Sequence, residues 1–231
     1  IWGNNDHAIV IDQWWATRNI NVYVFNPSIS NSYPQLLFAK KYHDIYNDPG
    51  DFDMIRNQYG YYILNMDSNN AFLIGQGYGE KGKCPFVDRI NLDTRRRKRI
   101  YQSKNSSKSL TVESIVSERK NEILVSIQSP TEYPNFYLLD YKKDHFINKI
   151  TNFDNPFKGL EGVHKQVVRY NRPDGIPLVG VLYLPETYDS IKKTKLPMLL
   201  WAYPHDYKDK NTAGQSTVNI NDFIYSHYES P

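Results

Sequence analysis

A mainly β fold is predicted by three observations: the period of the apolar residues, the residues that interrupt them, and a long-range repeat. "NVYVFNP" (21–27), "YYILNM" (61–66), "AFLIGQGY" (71–78), "FVDRINL" (86–92), "EILVSIQS" (122–129) and "NFYLLDY" (135–141) are short alternating or apolar runs. A period of two places successive side chains on opposite faces, as in a strand. Clusters of Asn, Asp, Gly, Pro and Ser separate the runs and supply turn chemistry. Hydrophobic residues make up 40% of the 231, aromatics 14%, and tyrosine alone numbers 19, a composition suited to pleated, half-buried surfaces.

The repeat is carried by three hairpins: "VYVFNPSISNSYPQLLFAK", "FVDRINLDTRRRKRIYQSK" and "NFYLLDYKKDHFINKITNF". Each joins two strands through a polar turn, and the second strands place Leu37, Ile100 and Ile150 at matching positions, 63 and then 50 residues apart. A unit of that length with about four strands is how a β-propeller blade reads. The competing reading from pattern alone is an antiparallel sandwich.

After "NFDNPFKGL" the texture changes. "KQVVRYNRPDGIPLVGVLYLP" (165–185) predicts two strands joined at an Asp174-Gly175 turn and closed by Pro185. A polar loop leads into "LPMLLWAYPHDYKDKN" (196–211), where "MLLWAY" does not alternate. A strand of that kind is expected at the centre of a sheet covered on both sides. A domain boundary is placed at residues 157 to 164.

The bulk numbers exclude several functions. With 28 basic residues against 25 acidic, charge argues for neither nucleic acid nor an anionic membrane. No apolar run approaches the roughly 18 residues needed to span a bilayer. The one cysteine, Cys84, excludes an internal disulfide and a cysteine-based zinc site. The six histidines, at 7, 43, 145, 164, 205 and 227, show no ligand spacing, so neither metal nor another cofactor is expected. The chain opens on Ile1 rather than Met and shows no leader, and is therefore read as a piece of something longer.

Local patterns invite over-reading. "GYGEKGKC" (77–84) nearly spells a phosphate-binding loop, but Cys84 stands where a Ser or Thr should hold magnesium, and a strand rather than a helix follows. It reads as a glycine-rich loop between strands. "RRRKR" (95–99) follows the Asp93-Thr94 turn and reads as a solvated hairpin tip whose side chains alternate between faces. "NSS" (105–107) fits a glycosylation acceptor and carries little weight without a secretory context. No G-x-S-x-G occurs, so the strand-turn-helix nucleophile of the hydrolases is missing.

Several stretches resemble the prolyl oligopeptidase family of serine peptidases, and more closely its glutamyl endopeptidase-like branch. They are "YNDPGDFDMIRNQYG", "CPFVDRINLDTRRRKRIYQS", "SPTEYPNFYLL", "ITNFDNPF", "VVRYNRPDGIPLVGVLYLPETYD" and "LLWAYPHDYKDKNTAGQ". The resemblance implies a β-propeller covering an α/β-hydrolase domain. It divides the chain into a partial propeller of about two and a half to three blades over 1–160 and the first strands of the hydrolase domain over 161–231. Closed propellers have roughly four to eight blades.

The implied activity is hydrolysis of peptide bonds in oligopeptides, with cleavage after glutamate the analogy's finer suggestion. The serine, aspartate and histidine of the triad are expected beyond Pro231, outside this chain, although Ser216, Ser226 and Ser230 lie near His227 in sequence. One site residue falls within the chain. In relatives the tyrosine ending the third hydrolase strand donates its hydroxyl to the oxyanion, and Tyr203 matches it, with His205 where the branch usually has glycine. An acidic substrate side chain calls for a basic residue, and Arg18, Arg56 and Arg169 are the candidates. The alternative function is a propeller-type binding module without catalysis.

Overall fold

The computed structural model describes residues 1–104, 106–189, 191–192, 195–202, 207 and 209–225. Three antiparallel sheets follow one another along the chain. The first is built from β1 (Ala8–Trp14), β2 (Asn19–Phe25) and β3 (Gln35–Lys41), in that order. The second arises from β4 (Asp51–Phe52), β5 (Met54–Arg56), β6 (Tyr62–Leu64), β7 (Met66–Asp67), β8 (Asn70–Gly75), β9 (Tyr78–Gly79), β10 (Gly82–Lys83), β11 (Phe86–Asn91) and β12 (Arg97–Gln102). Its sheet runs β12-β11-β8-β4 with β7 also on β8, while β5-β6 and β9-β10 are small side hairpins. The third is an uninterrupted meander of β13 (Ser109–Ser117), β14 (Glu122–Gln128), β15 (Asn135–Asp140) and β16 (His145–Lys149).

The sheets stack face to face, and the period of two explains how. In β8, Ala71 and Leu73 pack with Ile9, Ile20, Val22 and Val24 of the first sheet. The intervening Phe72 packs with Val112, Ile115, Ile123 and Val125 of the third. A strand buried on both faces must carry apolar residues at every position, and Ala71, Phe72 and Leu73 are at most 1% exposed. Mainly β structure is thus as expected, and the three meanders stack as propeller blades do. Leu37 and Ile100 lie in the outermost strands β3 and β12, and Ile150 directly follows β16, so the repeat read from sequence marks the outer edge of each blade.

Polar groups stitch the blades together. Asp53, 6% exposed, accepts the Asn65 amide at 2.7 Å and the Ile115 N–H of the third blade at 3.2 Å. His7 Nε2 meets Asp93 Oδ1 at 2.8 Å, fastening the start of the first blade to the β11–β12 turn. Gly50 has φ +90 and a backbone against the Ile74 carbonyl, an approach that a side chain would block.

Beyond the blades, a 3-10 turn at Lys158–Leu160 precedes an isolated hairpin of β17 (His164–Asn171) and β18 (Pro177–Leu184). Its turn uses Asp174 and Gly175, the latter at φ +83, as the sequence predicts. The run "MLLWAY" departs from expectation. Residues 195–202 form no strand, and Met198, Leu199, Leu200 and Trp201 are 76 to 86% exposed. A doubly buried strand requires flanking strands and covering layers, and among the described residues none reaches this segment. Among the described residues no helix is long and apolar enough to cross a membrane.

Candidate functional site

Residues 209 to 225 form a strap that contains no strand and lies across one end of the blades. Lys41, closing β3, donates to Asp209 at 2.5 Å. The Gln215 side chain accepts the Ile45 N–H at 2.8 Å and donates to Asp44 at 2.9 Å, while Tyr46 receives the Ser216 N–H on its hydroxyl at 3.2 Å. Farther along, Asn219 donates to Ser109 Oγ at 3.1 Å and the Phe223 N–H reaches Gln128 at 3.3 Å. Lys165 of β17 donates to the Asn219 and Asp222 carbonyls at 2.9 and 3.0 Å. Phe223 is held in an edge-to-face cluster with Tyr133 and Tyr225 at 5.3 and 5.2 Å.

Between the strap, the β17–β18 hairpin and the loop after β3 opens a cleft of about 1080 Å³. One wall is aromatic: Tyr42, His43 and Tyr207, with His43 5.2 Å from the Tyr42 ring and 5.6 Å from Tyr207. The facing wall is apolar, from Ile176, Pro177, Leu178 and Val179 of β18 and its turn. Arg172, Asp209 and Lys210 supply charge. Gly214 permits this enclosure, because a Cβ there would collide with the Pro177 ring.

Electrostatics lock the rim. The hydrogen bond with Asp209 holds the Lys41 amine above its usual range, and Lys41 in turn holds Asp209 below the usual carboxylate range. Burial pushes Asp44 up, but hydrogen bonds from Gln215 and Asn47 together outweigh it and leave the carboxyl low. At the hairpin turn Arg172 grips Asp174, bringing that carboxyl down to about 2. The cleft thus combines an aromatic and an apolar wall with charged and polar groups, among them Arg172, Asp209, Lys210 and Gln215.

The residues singled out in the sequence are distributed unevenly about this cleft. Tyr203, Ser226, His227, Ser230 and Asn105 lie outside the described residues. Ser216 lines the cleft, its hydroxyl accepting the Val218 N–H at 3.1 Å. None of the three arginine candidates lines it: Arg18 is buried with its guanidinium 3.4 Å over Trp15, Arg56 stands 5.0 Å over Tyr62, and Arg169 donates to the Glu80 carbonyl at 2.8 Å. Arg172, Lys210, Tyr42 and His43 were not legible as site residues, because they sit in irregular loops whose closeness depends on contacts some 170 positions apart. "GYGEKGKC" is the β9–β10 hairpin, and Lys83 is turned onto Thr111 Oγ1 at 2.6 Å. Within "RRRKR", Arg97 and Arg99 are not merely solvated, since both bind the buried Asp88.

Comparison with known proteins adds what geometry cannot. The chain is 33% identical over 236 aligned residues, 96% of its length, to a probable glutamyl endopeptidase, chloroplastic, of Arabidopsis thaliana. It is 32% identical over 235 residues to the protein of that name from Oryza sativa subsp. japonica. Over almost its whole length the chain is thus similar in sequence to two probable glutamyl endopeptidases. The chain spans about a quarter of those relatives, 24% of one and 25% of the other. Among solved structures, an isopeptidase with astexin3-dC4 bound superposes with a TM-score of 0.45 at 10% identity, covering 84% of this chain and 26% of that one. A putative dipeptidyl aminopeptidase IV from Bacteroides ovatus gives 0.42 at 9% identity, covering 82% and 34%. Likenesses that loose say nothing about chemistry. No protein-family model matches the chain.

Proposed function

We propose that this chain is part of a serine peptidase that hydrolyses oligopeptides, that residues 161–231 begin its catalytic domain, and that the cleft under the strap is one wall of its substrate chamber. The observation that carries the reading is the likeness to probable glutamyl endopeptidases over 96% of the chain. The position of the cleft, between blade loops and the β17–β18 hairpin, supports it. A propeller laid over a hydrolytic site admits only flexible peptides, so the substrates are oligopeptides rather than folded proteins.

Tyr203 is proposed as the oxyanion donor, its hydroxyl meeting the carbonyl oxygen as that atom becomes negative. The nucleophile and its base belong to the remainder of the protein, and residues 1–231 alone are expected to be inactive, because a serine without an oriented base is a poor nucleophile. For glutamate preference, Arg172 and Lys210 are the cations on the cleft wall. Arg172 is engaged by Asp174 at 2.5 Å, which makes Lys210 the better candidate for pairing with a substrate carboxylate.

The test is an assay of the complete protein on two peptides that differ only by Glu or Gln before the scissile bond, with and without a fluorophosphonate. Cleavage favouring Glu and abolished by the reagent supports the proposal. Cleavage insensitive to the reagent, or none of either peptide, refutes it.

A further inference from the structure

The cleft under the strap has room for more than one residue of a peptide. Its volume, about 1080 Å³, stands at the top of the range of clefts that enclose a drug-sized ligand. A glutamate paired with Lys210 leaves most of that space to its neighbours. The other charged lining residues are spent on partners within the chain, Asp209 on Lys41 at 2.5 Å and Arg172 on Asp174 at 2.5 Å. What remains for a neighbouring residue is uncharged, with the rings of Tyr42, His43 and Tyr207 on one wall and Leu178 and Val179 of β18 on the other.

The rings are held in place by one another. His43 meets Tyr42 at 76° and Tyr207 at 51°, Tyr42 leans on Trp15 at 63° and 5.8 Å, and the Arg18 guanidinium lies 3.4 Å over Trp15. Side chains braced in this way have little rotamer freedom left to lose when a ligand packs on them. The row reaches the surface, with Tyr42 51% and Trp15 61% exposed, so it runs from the β1–β2 turn into the cleft. His43 adds a polar feature to it. Among the described residues neither nitrogen of its imidazole has a hydrogen-bond partner, although a neutral imidazole carries one donor and one acceptor.

We propose that the cleft selects a tyrosine side chain of the peptide substrate, at a position flanking the scissile bond, an inference that rests on reading the cleft as a wall of the substrate chamber. The tyrosine ring packs between the aromatic wall and β18, and its hydroxyl bonds the His43 imidazole. Phenylalanine fills the same space and leaves the imidazole unmet. An aliphatic side chain forgoes the edge-to-face contacts, and a charged one loses hydration against apolar walls without gaining a free partner.

The test uses the complete protein and a series of short peptides with Glu before the scissile bond and Tyr, Phe, Leu or Ala at each flanking position in turn. Cleavage is read as kcat/KM, and binding of the same peptides, fluorescein-labelled, is read by anisotropy on protein treated with a fluorophosphonate. At one flanking position Phe is expected to exceed Ala about tenfold, and Tyr to exceed Phe about fivefold, in line with one hydrogen bond. His43→Phe keeps the ring row and removes the nitrogens, so it should erase the advantage of Tyr over Phe while both still exceed Ala. Tyr42→Ala, folded by circular dichroism, should weaken both aromatic peptides. Glu-selective cleavage with no position that favours Tyr, or an advantage of Tyr over Phe that survives in His43→Phe, overturns this inference and leaves the peptidase reading standing. No cleavage, together with tyrosine-selective binding that Tyr42→Ala weakens, supports the subsite and removes the peptidase reading.

Discussion

Asp88 shows how one side chain can decide what a run of basic residues does. Its carboxylate is 2% exposed and is bound by Arg97 and by Arg99, the latter at 2.5 Å, while Arg99 also lies 3.7 Å over the Phe86 ring. Hydrogen bonds between charged groups at a buried acceptor are worth more than surface pairs, so Asp88→Asn should cost about 1 to 3 kcal/mol, read as a lower urea midpoint at unchanged slope. The cost stays below that of a sealed pair because the arginine side chains are 31 and 40% exposed and keep access to water. "RRRKR" disclosed the alternation of faces but not the buried partner, since nothing in "FVDRINL" distinguishes a buried aspartate from a solvated one. For Tyr203, removing the hydroxyl while keeping the ring in the complete enzyme should lower turnover by roughly a hundred- to a thousand-fold with little change in binding. Turnover of Tyr203→Phe within about threefold of the parent, under roughly 1 kcal/mol, would assign the residue a packing role instead.

At the scale of elements, the strap is held by charge at one end and by aromatic packing at the other, and the two should respond differently to pH. Asp44 and Asp209 both titrate below their ordinary range in the folded chain. Their contribution is therefore present above about pH 4 and lost as pH falls through the folded values. Lys41 titrates above its usual range, so its share persists to about pH 10 and is lost beyond. Amide exchange in 209–217 should rise at both extremes while the segment around Phe223 stays protected. Gly214→Val should raise exchange in the same segment at neutral pH, because the added side chain meets the Pro177 ring. Unchanged exchange in that variant would mean that the strap does not depend on its contact with β18. The strands were legible because a buried face enforces a period of two. The strap was not, because its attachments are single polar contacts and one aromatic cluster with residues remote in sequence, which leave no periodic trace.

For the whole molecule, two surfaces dominate: β1 at the open edge of the first sheet, with Val10 and Ile11 exposed, and the apolar segment containing Leu199 and Trp201. Unpaired strand edges and contiguous exposed apolar residues promote association. The isolated chain is expected to self-associate with rising concentration, and Leu199→Glu with Trp201→Glu should shift its elution toward monomer. A sharp monomer from the unsubstituted chain at high concentration would count against this. The blade succession was readable from hairpin spacing, whereas the fate of "MLLWAY" was not, since burial of a continuous apolar run depends on neighbours that the run does not encode. The strap carries one more consequence, for the order of assembly. At one end its bonds join residues 168 to 171 positions apart, Lys41 to Asp209 and Asp44 to Gln215, and at the other 110 and 95, Ser109 to Asn219 and Gln128 to Phe223. Most pairs within the blades are hairpin neighbours that close early and cheaply in entropy. The strap is therefore expected to seat after the blades stand, as the last segment to arrive during folding and the first to depart, so that the cleft beneath it forms late.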